Sequence, residues 1–304
     1  VSIEQPAIDS SLANIINSIS TRSMITGSGL SFGLGFTKGD TIGIFPESGY
    51  QIAFDLDVPQ GQVKTSTSIS AKGWKTKENV LYSCYMPFVY DNKNYSHIPW
   101  NLEKIQVQRG NNNRDSMSNY AIYASDTVTT ADANFHTSLC YMGSILAAVF
   151  NAPQTASFTR VIVASSKKIF ATKGYYDLFD INSTKEPTSK ISSCPYLHQP
   201  FHGESYSDHI TLNLKDFSVN KGTQIWAWFI VPETVLINTN LELYVWDSNG
   251  NCYTATKLIT TNLKRNTISG YSFSNLTQTT TPYTNLNPWE EDKDTCSTCY
   301  PVAF

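Results

Sequence analysis

Apolar and polar residues alternate in short runs along this chain, and turn residues separate the runs at short intervals. Tyr50–Val58 alternates Ile52, Phe54, Leu56 and Val58, then meets Pro59-Gln60-Gly61. Ile210, Leu212 and Leu214 alternate in the same way. A period of two marks strands that bury one face. Thr41–Phe45, Val80–Tyr90, Ser138–Phe150, Arg160–Ala164, Lys168–Thr172 and Ile225–Val231 are denser runs and read as core strands. Leu241–Trp246 and Cys252–Ile259 flank Ser248-Asn249-Gly250, a hairpin signal, because Asn and Gly accept the positive φ of a tight turn. The spacing predicts an all-β chain, and helical patterns alternating with the strands are missing. Two stretches also fit a helix: Ile8, Leu12, Ile15, Ile16 and Ile19 behind Asp9-Ser10, and Asn113–Ala124. The β-branched Ile15, Ile16 and Ile19 suit an extended segment equally.

At 304 residues the chain is long enough for two domains. Asn151-Ala152-Pro153 is the best break, giving 1–152 and 153–304, the second with a polar tail from Pro282. Charged residues are only 15% and the net charge is −3, so no basic field gathers phosphates and nucleic acid is not expected as a partner. No apolar run is long enough for a membrane-spanning helix. The chain starts at Val1 without a basic and apolar leader, which leaves a cytosolic chain and a trimmed export signal as two readings.

Catalytic and cofactor motifs are missing. Gly27, Gly29 and Gly33 have the wrong spacing for a phosphate loop, and no GxxxxGK[ST], GxSxG or HExxH occurs. Cys194, His198, His202, Asp208 and His209 have ligand chemistry for zinc, but Pro195 and Pro200 keep a helix from aligning the histidines. The segment reads instead as a polar connection before the strand at Ile210. His97 and His136 stand alone. Cys296 and Cys299 form a single CxxC without the second pair a zinc ribbon needs. The sequence therefore points to no catalytic residue, no cofactor and no metal. Trp74, Trp100 and Trp289 are candidates for stacking on sugars if exposed.

An ordered set of short motifs carries a resemblance. Thr21-Arg22 precedes Lys38-Gly39-Asp40-Thr41-Ile42-Gly43-Ile44-Phe45. Trp74 and Tyr82-Ser83-Cys84-Tyr85-Met86-Pro87-Phe88 follow, then Gln106, Gln108, Gly110-Asn111 and Tyr123-Ala124-Ser125-Asp126. Ala227–Pro232, Leu241–Trp246 with Cys252-Tyr253, and Gly270–Phe273 continue the order. Across about residues 13–275 the chain resembles the fimbrillin superfamily of Bacteroidales. Cys84 stands where that family usually has alanine, and Ser144 where many members have histidine.

The resemblance implies two tandem transthyretin-like β-sandwiches without enzymatic activity, exported as a lipoprotein precursor to the outer membrane and cell surface. It implies contact with the membrane only through a removed lipidated N-terminus. Its partners would be other pilus subunits, joined by strand exchange, and surface receptors of host or bacterium. Arg22 would be the processing site that frees the first strand, with stalk, tip and anchor positions all open. Asp126-Thr127-Val128 and Asp115-Ser116-Met117 resemble O-glycosylation sites of the same bacteria at Thr127 and Ser116, and Asp40-Thr41-Ile42 matches too. Export to an oxidising compartment makes a Cys84–Cys140 bridge one expectation and two buried thiols the other. A glycan-binding surface lipoprotein is the alternative function, and a zinc enzyme around His198 and His202 the third.

Overall fold

The computed structural model describes residues 36, 38–46, 50–62, 64, 66–69, 77, 80–89, 97–102, 105–111, 138–177, 201–234 and 236–283. It also describes strand segments at 2–3, 7–8, 123–124 and 128–129. Every regular element among them is a strand. In chain order they are β1 (Ser2–Ile3), β2 (Ala7–Ile8), β3 (Thr41–Pro46), β4 (Ile52–Asp55), β5 (Leu81–Met86), β6 (His97–Asn101) and β7 (Ile105–Arg109). Then come β8 (Tyr123–Ala124), β9 (Val128–Thr129), β10 (Ser138–Tyr141), β11 (Ser144–Asn151), β12 (Ala156–Ser165), β13 (Phe170–Asp177) and β14 (Phe201–Ser207). The last are β15 (His209–Lys215), β16 (Ser218–Val219), β17 (Gln224–Val231), β18 (Thr239–Asp247), β19 (Cys252–Ile259), β20 (Thr267–Phe273) and β21 (Thr277–Thr279).

Four sheets result. The first runs β1-β10-β8-β5-β3-β4, with β9 on β5. The second runs β17-β11-β20-β2, the third β21-β19-β18-β12-β15-β7 with β16 on β12, and the fourth β14-β13-β6. The expected hairpin is present: β18 and β19 pair antiparallel from Trp246↔Cys252 to Thr239↔Ile259. Gly250 takes a φ of 84° in its turn. The Asp247 carboxylate holds that turn by accepting the amides of Asn249 and Asn251, each at 2.9 Å.

The division expected at 152/153 is crossed by backbone pairing. β11, read from sequence as the close of the first half, pairs antiparallel with β17 and parallel with β20. β7 pairs parallel with β15, and β6 antiparallel with β13. One cluster of buried apolar residues runs from Phe36 to Phe273 and draws on both halves. β17 is buried along Ile225–Val231, as its composition requires, and it stops before Pro232, which has no N–H to donate. It lies at the margin of its sheet rather than at the centre. The helical alternatives fail where they are described, since Ile8 lies in β2 and Tyr123–Ala124 form β8.

Candidate functional site

The chemistry of this fold lies in its sheet margins. A strand margin presents unpaired N–H and C=O groups, which must be covered or left open to another chain. At one margin of the first sheet, β1 pairs parallel with β10, with Ser2↔Ser138 and Ile3↔Leu139 in register. At one margin of the second sheet, β2 pairs parallel with β20 through Ala7↔Thr267 and Ile8↔Ile268. The residues beneath are core: Leu139 and Ile268 are fully buried. Among the described residues the N-terminal stretch thus pairs with two sheets, through Ser2–Ile3 on one and Ala7–Ile8 on the other.

The opposite margin of the second sheet is built differently. β17 has no backbone partner there among the described strands, yet its polar groups are bonded. Gln106 Nε2 donates to Ile230 O at 2.7 Å, and Ile230 N donates to Gln106 Oε1 at 2.8 Å. Gln108 Nε2 donates to Trp226 O at 2.8 Å, and Trp228 N donates to Gln108 Oε1 at 3.0 Å. Asn111 Nδ2 donates to Gln224 O at 2.9 Å and its Oδ1 accepts Trp226 N at 3.3 Å.

The residues singled out in the sequence fall as follows. Arg22, Ser116 and Thr127 lie outside the described residues, as do Trp74, Trp289, Cys194, His198, Cys296 and Cys299. Thr41, in the third glycosylation-like triplet, enters β3 and donates to Asp55 Oδ1 at 2.9 Å. The Cys84–Cys140 bridge is not formed. Cys84 is a buried thiol, whereas Cys140 is disulfide-bonded. The topology gives the reason: Tyr85, next to Cys84, and Cys140 both pair with Ala124 of β8, from opposite sides. Two strand spacings of about 4.8 Å exceed the roughly 7 Å that a disulfide spans between Cα atoms.

Trp100 is buried on β6 and cannot stack on a sugar; it packs edge-on against Tyr176 at 6.0 Å and Phe201 at 6.4 Å. The expected polar connection before Ile210 is in part the strand β14, with exposed His202 on it. His202 stacks on Tyr175 at 4.8 Å, and Tyr175 stacks on His97 at 3.8 Å. Burial lowers the His97 pKa, opposed by Asp177 at 3.8 Å. His209 is buried elsewhere, with Nδ1 2.7 Å from Asp208 Oδ1. The Tyr283 hydroxyl donates to the same carboxylate oxygen at 2.9 Å. Among the described residues no three Cys, His, Asp or Glu side chains gather as a metal site requires.

In the sequence Gln106 and Gln108 stand out only as part of the family-like motif. The signal for their role was available: in Ile105-Gln106-Val107-Gln108-Arg109 the amides alternate with apolar residues, and it is the amides that turn inward.

No protein-family model matches the chain. A comparison with curated proteins gives no match either. A comparison with solved structures gives partial matches at low identity. A protein assigned to cell adhesion from Bacteroides uniformis has a TM-score of 0.48 at 9% identity, covering 81% of this chain and 92% of the other. One of the same assignment from Bacteroides ovatus has a TM-score of 0.47 at 13% identity, covering 92% and 96%. A fimbrial protein from Bacteroides vulgatus has a TM-score of 0.40 at 12% identity, covering 78% and 91%. Among the described residues the fold is all-β.

Proposed function

We propose that this chain is a non-enzymatic structural subunit of a bacterial surface filament, either pilin or adhesin, which assembles by exchanging its first strand. The observation that carries the reading is the N-terminal segment, held to the margins of two sheets by parallel two-residue pairings on β10 and β20. A typical backbone hydrogen bond contributes about 0.5–1.5 kcal/mol net, and an incoming extended segment can form bonds of the same kind in its place. Its loss bares polar backbone beside buried Leu139 and Ile268, and an extended segment of another copy restores both ladder and core. Each copy gives one strand and accepts one, so the contact is heterologous and open-ended. The disulfide at Cys140 supports export, because such bonds persist in oxidising compartments. Arg22, the only Lys or Arg before Lys38, is the processing site, and Pro282–Phe304 is the donor.

Limited trypsin digestion followed by size-exclusion chromatography tests this. The first cut falls after Arg22, the cut chain keeps its segment noncovalently, and larger species then form. If Arg22→Ala leaves both digestion pattern and polymer formation unchanged, the reading is wrong.

A further inference from the structure

The second sheet has two margins of opposite character. β2 covers one through two residue pairs and belongs to a terminal segment. The other, on β17, is covered by side chains of β7 and of Asn111 just after it, and β7 is itself bonded into the third sheet through five residue pairs with β15.

β7 has an inverted pattern. Ile105 is 41% exposed, whereas Gln106 and Gln108 are each 2% exposed. Placing two primary amides where a marginal strand normally puts apolar side chains is unfavourable unless each donor and acceptor is matched. Here they are matched to groups of β17: the carbonyls of Gln224, Trp226 and Ile230 and the amides of Trp226, Trp228 and Ile230. These are the alternate residues whose backbone faces outward, the set that an added strand would bond. A carboxamide carries the N–H and C=O of a peptide group, so three side chains stand in for a neighbouring strand without extending the sheet.

We infer that Gln106, Gln108 and Asn111 determine where on the second sheet a second copy of this chain can add its strand: they seal β17 and leave the β20 margin as the acceptor there. This rests on the strand-exchange reading proposed above. An incoming strand at β17 would have to break six intramolecular hydrogen bonds of a ladder tied to the folded body. At β20 the covering β2 belongs to the segment that a cut after Arg22 would release.

The test is residue-resolved hydrogen exchange on the full chain before trypsin treatment and on the polymer formed after it. The amides of Trp226, Trp228 and Ile230 stay within about tenfold of Ala147, in central β11, in both states, while exchange within Thr267–Phe273 changes by about tenfold or more on assembly. A comparable change at Trp226, Trp228 and Ile230 overturns the proposal. Polymer with neither margin altered, or no polymer at all, overturns the strand-exchange reading instead. The seal is then judged on the uncut chain carrying Gln106→Met and Gln108→Met, which exposes β17 and raises the oligomer fraction about tenfold by light scattering. If that chain does not fold, Gln108→Asn, one methylene too short to reach, carries the same readout. A folded variant that stays monomeric overturns the proposal.

Discussion

Gly43 sits under the ring of Tyr85, and adding one methyl group there has a calculable effect. The two residues pair across β3 and β5. A Cβ on Gly43 would lie inside van der Waals contact of Tyr85 Cε1, and 3.1 Å from both Tyr85 Cδ1 and Phe88 Cδ2. Ordinary carbon contacts are about 3.5–4.0 Å, so the ring must move by roughly 1 Å. It has little room. Tyr85 and Phe45 are both fully buried, stacked at 5.3 Å, and the Tyr85 hydroxyl donates to Gln51 Oε1 and accepts Val89 N, each at 2.9 Å. Overpacking costs about 1–3 kcal/mol. Losing one of the hydroxyl bonds adds about 1 kcal/mol. Gly43→Ala should therefore destabilise by about 2–4 kcal/mol, measured by urea unfolding followed by tryptophan fluorescence. At about 2–4 °C per kcal/mol, the thermal midpoint should fall by roughly 4–16 °C. Combining it with Tyr85→Leu removes the clash, so the double variant should be less destabilised than the sum of the singles by about 1–3 kcal/mol. A Gly43→Ala chain within about 0.5 kcal/mol of the original, or strictly additive singles, would refute the reasoning.

Unfolding without reductant should expose Cys84 and Cys252 to alkylation and leave Cys140 unlabelled by mass spectrometry; in the folded chain Cys252, its thiol pushed up to about 11 by burial, should label slowly at pH 8. Burial raises the Asp208 carboxyl, but hydrogen bonds from His209 and Tyr283 outweigh this and hold it below the ordinary 3.8. Its stabilisation is present above that value and lost as pH falls through the lower folded one, so Tyr283→Phe should move acid unfolding to higher pH. An unchanged Asp208 titration by carbon NMR in that variant would count against it. Asn262 Oδ1 accepts the amides of Leu236 and Ile237, each at 2.9 Å, so Asn262→Ala should cost about 1–3 kcal/mol in urea unfolding; a change under 0.5 kcal/mol would contradict the assignment.

Local signals were legible where propensity and burial agreed. β19 occupies Cys252–Ile259 as its alternation and the preceding Asn-Gly turn require, and β17 follows its apolar run to Pro232. Three strands were hidden because their residues answer to something other than a strand's usual face. β6 contains Pro99, which argues against a strand, but β6 is at the margin of its sheet, where a missing N–H goes unnoticed. β14 reads as polar because its outward residues include His202 and Glu204, and its Gly203 leaves space that the Tyr206 ring occupies. β7 buries amides to satisfy a strand over a hundred positions away, which no local pattern encodes. The same non-locality hid the sheet partners of β11 and the fate of Cys140. Pairing across a fold is set by topology, not by spacing along the chain.

The short link between β10 and β11 explains how one terminal segment can bear on two sheets. Only Met142-Gly143 separates them, so a nearly continuous strand passes from the first sheet into the second. Both link carbonyls are held: the Tyr176 hydroxyl donates to Met142 O at 2.5 Å, and Asn266 N donates to Gly143 O at 2.8 Å. Gly143 has no room for a side chain, since a Cβ would come 2.5 Å from the Tyr141 hydroxyl and 2.9 Å from the Trp100 ring. Arg265 lies over Tyr176 at 5.0 Å, and Thr267, two residues on, pairs with Ser144. The margin that β1 covers and the margin that β2 covers therefore meet at one packed joint, and neither sheet can shift there without moving the other. For the strand exchange proposed above, this joint places side by side the two margins that one incoming strand would have to fill.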